Sequence, residues 1–220
     1  MNRELRRLSW GIFVMFFALF VSSTIIQVFQ ADNLRVDARN TRTLLESYSA
    51  ERGSIIAGNT TIAESVPASD QYRYQRTYYD GPMYSAVTGY YTISQGISGL
   101  EAAMNDELSG QSNNQFFDQV LALVSGRDPR GATVQLTIDP VIQEAAWKAL
   151  GSKSGSIVAL DPTTGRILAM VSKPAFDPNE LASHDTVTVI DRYQQLLVDD
   201  KAPLVNRAIA GVRAQQCVAL

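Results

Sequence analysis

The chain has 220 residues, of which 45% are hydrophobic and 19% are charged, a composition typical of folded proteins with one or two domains. Its formal net charge of −3 provides no strongly basic surface, so no nucleic-acid partner is predicted. Cys217 and His184 are the only cysteine and histidine, which excludes an internal disulfide and a structural zinc site built from Cys and His. The sequence therefore predicts no cofactor and no metal site.

The strongest compositional signal is an uncharged, largely apolar segment near the amino terminus, residues 8–31. It is longer than the roughly 20 residues that an apolar helix needs to cross a bilayer. Arg3, Arg6 and Arg7 precede it, so the positive-inside rule predicts a cytosolic amino terminus and an exported remainder. A signal peptide usually has a shorter apolar region and a small-residue cleavage site, which "STIIQVFQAD" lacks. An uncleaved anchor is therefore favoured.

The segments after the anchor are more polar. Residues 32–50 are predicted to form a helical or extended stalk. Short β-branched and aromatic runs over residues 51–99, broken by Gly, Asn and Pro, predict strands and turns. Seven tyrosines lie between Tyr72 and Tyr91. They are interpreted as half-buried strand residues rather than as a stacking surface for a glycan or a peptide.

Two helices are predicted next. Ser98 and Glu101 have the spacing of a capping box, in which each side chain bonds to the other residue's backbone at a helix start, and Gly110 can end that helix. A second helix is predicted from Gln115 to Ser125, before "GRDPRG" interrupts the pattern.

Residues 132–173 carry the clearest pattern. Alternating apolar residues over 134–138 predict a strand, and Asp139 is predicted to cap a helix that ends at Gly151. "GSIVALD" and "RILAMVS" then predict a hairpin whose turn places Gly165 at a positive φ angle. This α+β start resembles part of a larger domain, so the apolar faces of the hairpin are expected to be exposed or poorly packed.

At this point the sequence resembles the amino-terminal part of a class B penicillin-binding protein, closest to the actinobacterial penicillin-binding protein A group. Besides the single anchor helix, the motifs that carry the resemblance are "ERGSII", "VTGYYTISQGISGLEAAMNDELSG", "VQLTIDPVIQEAAWKAL", "GSIVALDPTTGRILAMVSKPAFDPN" and "LVNRAIAG". The residues that match the family's structural motif are Arg52, Gly53, Asp161, Gly165, Asn206 and Arg207. One departure is "IIAGNTTIA", which shortens the Asp-Arg-Asn-Gly turn that often follows R-G-x-I in the family.

The resemblance implies a D,D-transpeptidase that crosslinks peptidoglycan stem peptides and is acylated by β-lactams. It implies an α+β fold in three regions: a cytosolic stub with one transmembrane helix (1–31), an extracytoplasmic pedestal without chemistry (32–150), and the first strands of an incomplete transpeptidase domain (151–220). The implied partners are the membrane and a polytopic cell-wall glycosyltransferase or other division or elongation proteins. A stem peptide is implied only for a full-length relative.

The acylation motif of the family, S-x-x-K, is absent from the 220 residues. A serine nucleophile needs a base beside it, and this motif places Lys one helical turn from Ser. The residues three positions before the four lysines are Ala145, Leu150, Met170 and Val198. No catalytic residue is therefore predicted, and the chain by itself is predicted to be inactive.

Four short patterns imitate functional motifs. Ser112-Asn113-Asn114 matches S-x-N and Lys153-Ser154-Gly155 matches K-[ST]-G, but both precede the place where S-x-x-K belongs, so they are interpreted as coincidences. Ser183-His184-Asp185 is interpreted as a turn or a helix cap, because three consecutive side chains cannot converge as a catalytic triad. Asp199-Asp200 is interpreted as a solvated surface rather than a metal site.

The last residues, "VRAQQCVAL" after Gly211, replace the Y-x-P-G-S-x-x-K that follows N-R-A-x-x-G in the family. With suitable codons, "VRAQQCV" read one nucleotide later encodes Y-A-P-S-S-V. The hypothesis is a frameshift, in the genome or in its sequencing, just before the catalytic motif. The DNA sequence tests it.

Two other functions remain open at this point. The first is a membrane-anchored binding or scaffold protein whose pedestal docks on a glycosyltransferase or a division complex. The second is a secreted binding module that uses the tyrosine-rich strands and requires cleavage near residue 30.

Overall fold

The computed structural model describes residues 2–24, 48, 50–110 and 130–210, and the chain divides into two units, residues 1–45 and 46–220. In the first unit, helix α1 covers Asn2–Thr24. Its segment Arg6–Thr24 is long and apolar enough to cross a membrane by length and composition, and none of it is buried. Within the described residues this agrees with the predicted anchor, while most of the predicted stalk lies outside them.

The second unit begins with short strands and helices. In chain order these are β1 (Ile55–Ala57), β2 (Thr60–Pro67), β3 (Tyr74–Tyr78), α2 (Gly81–Thr88), β4 (Tyr91–Thr92), β5 (Gly96–Ile97), α3 (Gly99–Ala103), α4 (Asn105–Leu108) and β6 (Val134–Leu136). The elements that follow are α5 (Pro140–Leu150), β7 (Gly155–Leu160), β8 (Ile167–Lys173), α6 (Asn179–Ala182), α7 (Thr186–Val198) and α8 (Arg207–Ala210).

A four-stranded sheet organises the first half of this unit in the order β3-β2-β1-β6. The β1–β2 and β2–β3 pairs are antiparallel, whereas β1 and β6 are parallel. Ile55 and Ile62 are fully buried on the sheet, and Tyr78 of β3 and Tyr84 of the following helix belong to the same buried cluster. The mixed α+β fold class predicted from the sequence is confirmed.

Helix α2 lies where the sequence predicted only strands and turns, so that prediction was wrong for Gly81–Thr88. Pro82 stands in the first turn, where its fixed φ angle and missing N–H suit a helix start. Tyr84 and Thr88 lie one turn apart and both are buried, so burial of one helix face overrides the β-propensity of the segment. The tyrosines therefore include helix residues as well as strand residues.

The predicted capping box at Ser98 and Glu101 was also wrong. The side chain of Ser98 makes no cap hydrogen bond and instead accepts one from the backbone N–H of Tyr90 at 3.1 Å. Glu101 is fully buried and binds two arginines. Helices α3 and α4 meet at Met104 instead of forming one helix, and the second predicted helix, 115–125, lies outside the described residues.

The pattern over residues 132–173 is confirmed in its main features. The side chain of Asp139 accepts hydrogen bonds from the first turn of α5, which ends at Gly151. Strands β7 and β8 form the predicted antiparallel hairpin, and Gly165 in its turn has φ 72°. One difference is that β6 ends at Leu136, before Ile138.

The hairpin is covered on one face, and its other face is open along β7. Ala146 and Leu150 of α5 pack against Ala169 and Val171 of β8, which are fully buried. The side chains of Val158 and Leu160 on β7 are 41% and 58% exposed. The apolar faces of the hairpin were expected to be exposed or poorly packed. This prediction is confirmed for the outer face of β7, and it was wrong for the face that α5 covers.

Candidate functional site

A buried cluster of three charges lies between the sheet and α3. Glu101 Oε2 accepts a hydrogen bond from Arg52 Nε at 2.6 Å, and Oε1 accepts one from Arg76 Nε at 2.7 Å. The three side chains are between 0% and 4% exposed. Arg52 also donates to the carbonyl of Glu101 at 2.7 Å, and Arg76 donates to the carbonyl of Gly53 at 2.8 Å. The carboxylate thus joins the chain before β1 to β3 and α3.

The cluster carries two guanidinium charges and one carboxylate charge, so one positive charge in excess has to be stabilised by neighbouring groups. The guanidinium carbon of Arg52 lies 4.4 Å from the centre of the Tyr91 ring, a cation–π contact. The hydroxyl of Tyr78 donates to Glu101 at 3.3 Å, and burial, followed by the charge of Glu101, raises the pKa of this phenol. The phenol therefore stays neutral and acts as a donor. The cluster therefore compensates buried charges, and it contains no group that could act as a nucleophile.

Gly53, predicted as a family motif residue, lies at a close backbone contact. A Cβ atom there would stand 1.9 Å from the carbonyl oxygen of Ala132, and the N–H of Gly53 donates to the carbonyl of Leu108 at 2.8 Å. Only glycine fits this contact, because any side chain would collide with backbone atoms.

Asp161 and Gly165, two further motif residues, form the turn between β7 and β8. The carboxylate of Asp161 accepts hydrogen bonds from the hydroxyl groups of Thr163 and Thr164 at 2.6 Å and 2.5 Å. The bonds from Thr163 and Thr164 hold the pKa of Asp161 well below its usual range. The backbone N–H of Gly165 donates to the carbonyl of Asp161 at 2.8 Å, which closes the turn. These two residues shape the turn of the hairpin.

Asn206 and Arg207 fix the start of α8. Asn206 donates from Nδ2 to the carbonyl of Ala86 in α2 at 2.7 Å, and its Oδ1 accepts the N–H of Ala208 at 3.0 Å. Arg207 donates from its guanidinium to the carbonyls of Lys201, Ala202 and Val205. Its backbone N–H donates to the hydroxyl of Ser172 on β8 at 3.0 Å. The pair connects α8 to both α2 and β8.

Two amide side chains that the sequence reasoning missed make the same kind of connection. Gln143, fully buried in α5, donates to the carbonyls of Met83 and Met170 at 2.9 Å each and accepts the N–H of Met170 at 2.8 Å. Asn179 exchanges two hydrogen bonds of 2.8 Å with the backbone of Tyr78 at the edge of β3. We call Gln143, Asn179 and Asn206 the amide seam, because each amide joins residues 74–88 to residues after 139.

Ser183-His184-Asp185 forms the predicted helix cap. The carboxylate of Asp185 accepts hydrogen bonds from the first turn of α7, and the N–H of Asp185 donates to the hydroxyl of Ser183 at 3.2 Å. His184 turns away and contacts Asp70. The three side chains thus serve different partners, which does not fit a catalytic triad.

The other three patterns that resemble functional motifs do not form a functional site within the described residues. Lys153 and Ser154 lead into β7, which begins at Gly155, and Ser112-Asn113-Asn114 lies outside the described residues. Asp199-Asp200 is exposed at the end of α7. Within the described ranges, no group of three or more His, Cys, Asp or Glu side chains is placed to hold a metal ion.

Two family descriptions match the chain in sequence. Residues 52–134 match the penicillin binding protein A dimerisation domain, and residues 155–214 match the penicillin binding protein transpeptidase domain. The charge cluster and Gly53 fall in the first match, and the Asp161 turn with Asn206 and Arg207 falls in the second.

The chain is similar to curated peptidoglycan D,D-transpeptidases named PbpA. It is 44% identical to the protein of Mycolicibacterium smegmatis and 41% identical to that of Mycobacterium tuberculosis, over 96% of this chain and 44% of each relative. The solved imipenem acyl-enzyme of penicillin-binding protein A from M. tuberculosis matches with a TM-score of 0.73 and 39% identity, over 74% of this chain and 39% of that one. The chain thus spans less than half the length of these relatives and only part of the transpeptidase domain.

Proposed function

Since the chain belongs to the penicillin-binding protein family, we propose that it forms the membrane anchor, the pedestal and the first strands of the transpeptidase domain of a peptidoglycan D,D-transpeptidase. The proposed regions are residues 1–31, 32–150 and 151–220. The names of the relatives and the match to the transpeptidase domain support this assignment.

The amide seam is the observation that carries the proposal. A pedestal has to hold the catalytic domain in a fixed position. This requires interactions with a defined direction, such as hydrogen bonds between the two regions. Gln143 of the proposed pedestal exchanges hydrogen bonds with the backbone of Met170, and Asn179 and Asn206 of the proposed transpeptidase region donate to the carbonyls of Tyr78 and Ala86. Hydrogen bonds of buried polar groups are costly to break without replacement, so they fix the geometry more tightly than apolar contact alone.

The 220 residues are proposed to position the transpeptidase domain without performing acyl transfer. None of the four lysines lies three residues after a serine, so no serine in this chain has the lysine base of S-x-x-K. The charge cluster cannot substitute for it, because its groups are buried and bound to each other.

Labelling with a fluorescent penicillin tests this proposal. The purified chain is incubated with the reagent beside penicillin-binding protein A of M. tuberculosis, for which a penicillin G acyl-enzyme structure is known. We expect a labelled band for the control and none at the mass of this chain, 24.1 kDa. A labelled band at that mass, lost after preincubation with unlabelled penicillin, would contradict the proposed inactivity.

The proposed location is the cell membrane, with a single pass, a cytosolic amino terminus and the bulk of the chain outside. Helix α1 and the arginines Arg3, Arg6 and Arg7 support this topology. Cys217 is the one cysteine, so a membrane-impermeant maleimide reports on the carboxyl-terminal side alone. Labelling in intact spheroplasts is expected, and labelling only after lysis would contradict the topology.

The proposed partner is a polytopic cell-wall glycosyltransferase or another division or elongation protein, contacted by the anchor and the pedestal. The family's role in cell-wall synthesis supports this choice. Crosslinking in membranes, followed by purification of the chain and identification of a polytopic partner, tests it. Replacing the anchor by an unrelated transmembrane helix is expected to weaken the crosslink.

A further inference from the structure

Asp70 and His184 form a contact between two loops that are 114 residues apart in sequence. Asp70 lies in the loop between β2 and β3, and His184 lies in the loop between α6 and α7. Nδ1 of the imidazole contacts Oδ2 of the carboxylate, and the two side chains are 10% and 42% exposed. The histidine is therefore nearly buried at a contact whose acidic partner remains open to solvent.

The loop of Asp70 holds this carboxylate in place. Its Oδ1 accepts the backbone N–H of Tyr72 at 3.0 Å, which leaves Oδ2 for the imidazole. The N–H of Ala68 donates to the carbonyl of Arg73 at 2.7 Å and closes the loop. The hydrogen bond from His184 is the main reason why the pKa of Asp70 lies below its ordinary value.

The imidazole also contacts an aromatic ring, which begins a row of tyrosines. Its centroid lies 4.8 Å from that of Tyr72, which in turn lies 6.2 Å from Tyr48. Tyr48 lies 4.5 Å from Tyr91, the ring beneath Arg52. A row of three tyrosines thus connects His184 to the buried charge cluster.

The other charged groups near the two loops have different contacts. The carboxylate of Asp185, next in the chain, accepts hydrogen bonds from Val187 and Thr188 at the start of α7. The guanidinium of Arg73 lies over the ring of Tyr74 at 5.9 Å. Among the described residues, the carboxylate of Asp70 and the phenol ring of Tyr72 face the imidazole across the contact.

We propose that Asp70 and His184 form a proton-dependent latch that closes the β2–β3 loop onto the α6–α7 loop. With the imidazole protonated, the contact is an ion pair with a charge-assisted hydrogen bond. With the imidazole neutral, the attraction between opposite charges is lost, and the hydrogen bond to the carboxylate remains only in the tautomer that carries the proton on Nδ1. Imidazoles change charge between about pH 5 and pH 8, so the latch is closed on the acidic side of this range and loosens as the pH rises.

The single histidine makes this latch directly observable. The full chain, labelled with ¹⁵N at histidine and held in detergent micelles, is titrated from pH 4.5 to pH 8.5 while its imidazole signals are recorded. The same titration is run on Asp70→Asn, which keeps the size of the side chain and removes its charge. We expect the midpoint of the imidazole titration to fall in Asp70→Asn, because protonation then gains no ion pair. Asp200→Asn is the matched control, since it removes an exposed carboxylate outside the latch, and its midpoint should equal that of the original chain.

Amide hydrogen exchange supplies a second measurement. Protection of residues 68–73, corrected for intrinsic exchange rates, should decrease by about twofold to fivefold between the acidic and the basic end of the titration. His184→Gln should abolish this pH dependence while its far-UV circular dichroism stays unchanged. Equal midpoints in the original chain and Asp70→Asn, or protection that does not change across the titration, would overturn the latch. Neither measurement depends on penicillin binding, so the latch and the proposed function can fail separately.

Discussion

Arg52 and Glu101 are joined by a 2.6 Å ion pair although they lie 49 residues apart in sequence, and their side chains are 4% and 0% exposed. A buried ion pair adds little stability compared with apolar residues of the same volume, but removal of one partner leaves a charge without compensation. Glu101 compensates two such charges, because Arg76 binds its second oxygen. This carboxylate is therefore the most sensitive single position that we identify in the pedestal.

Glu101→Gln is expected to destabilise residues 46–220 by about 3–5 kcal/mol, because two buried guanidinium groups lose their one bound carboxylate. Urea unfolding followed by tryptophan fluorescence and circular dichroism measures the change. Glu144→Gln is the matched control, since Glu144 is 54% exposed and pairs with Lys148 one turn away. The control should change stability by no more than about 0.5 kcal/mol. Similar effects of the two variants would contradict the role assigned to the cluster.

The helix cap at Asp139 could be predicted from the sequence, whereas the buried charge cluster around Glu101 could not. Asp139, Gly151 and Gly165 act on neighbours within a few residues, so their roles follow from local spacing. Glu101 has the spacing of a capping box too, yet its partners Arg52 and Arg76 lie far away in sequence. A local pattern cannot show that two arginines distant in sequence bind the carboxylate of Glu101 in place of the backbone N–H of the capping box.

The amide seam was missed for the same reason. Asn179 binds the backbone of Tyr78 across 101 residues, and Gln143 sits on a helix whose other inward positions are apolar. A polar residue on an apolar helix face is the one signal in the sequence that points to Gln143. Asn206 was singled out only through the family resemblance, which does not reveal its bond to Ala86.

Gln143→Met is expected to destabilise the second unit by about 2–4 kcal/mol. The variant keeps the side-chain volume but leaves the carbonyls of Met83 and Met170 and one backbone N–H without partners in a buried place. Thermal and urea unfolding measure the loss. Gln195→Met on the exposed side of α7 tests the same change of chemistry and should shift stability by less than about 0.5 kcal/mol. An equally stable Gln143→Met would show that the seam does not hold α2 to β8.

Lys173 closes the carboxyl end of α5 and provides a third test. Its Nζ donates to the carbonyls of Trp147 and Gly151 at 3.0 Å and 2.6 Å and lies 3.7 Å from the centre of the indole ring. Lys173→Met should cost about 1–2 kcal/mol, because it removes a cation from the negative end of the helix and from an aromatic face. The indole fluorescence of Trp147 should change as well. Lys201→Met, at an exposed position, is the control and should alter neither quantity.

The turn carboxylate of Asp161 predicts a dependence of stability on pH. Hydrogen bonds from Thr163 and Thr164 lower its pKa in the folded chain, so the folded state favours the ionised form. A group with a lowered folded pKa contributes its full stability above the unfolded value, which is about 3.9 for Asp, and loses it as the pH falls through the folded value. The melting temperature of Asp161→Asn should therefore lie below that of the original chain by the same amount at pH 7 and pH 5.

Below about pH 4 this difference should shrink, because the original chain then binds a proton that the variant cannot bind. Melting curves of both chains at pH 7, 5, 3 and 2, recorded by circular dichroism, measure the difference. Asp200→Asn, at an exposed position, should show a small difference that stays constant over the same range. A gap between Asp161→Asn and the original chain that stays constant down to pH 2 would mean that the ionised turn carboxylate does not stabilise the hairpin. The hydroxyl groups of Thr163 and Thr164 would then hold the turn equally well around a neutral amide.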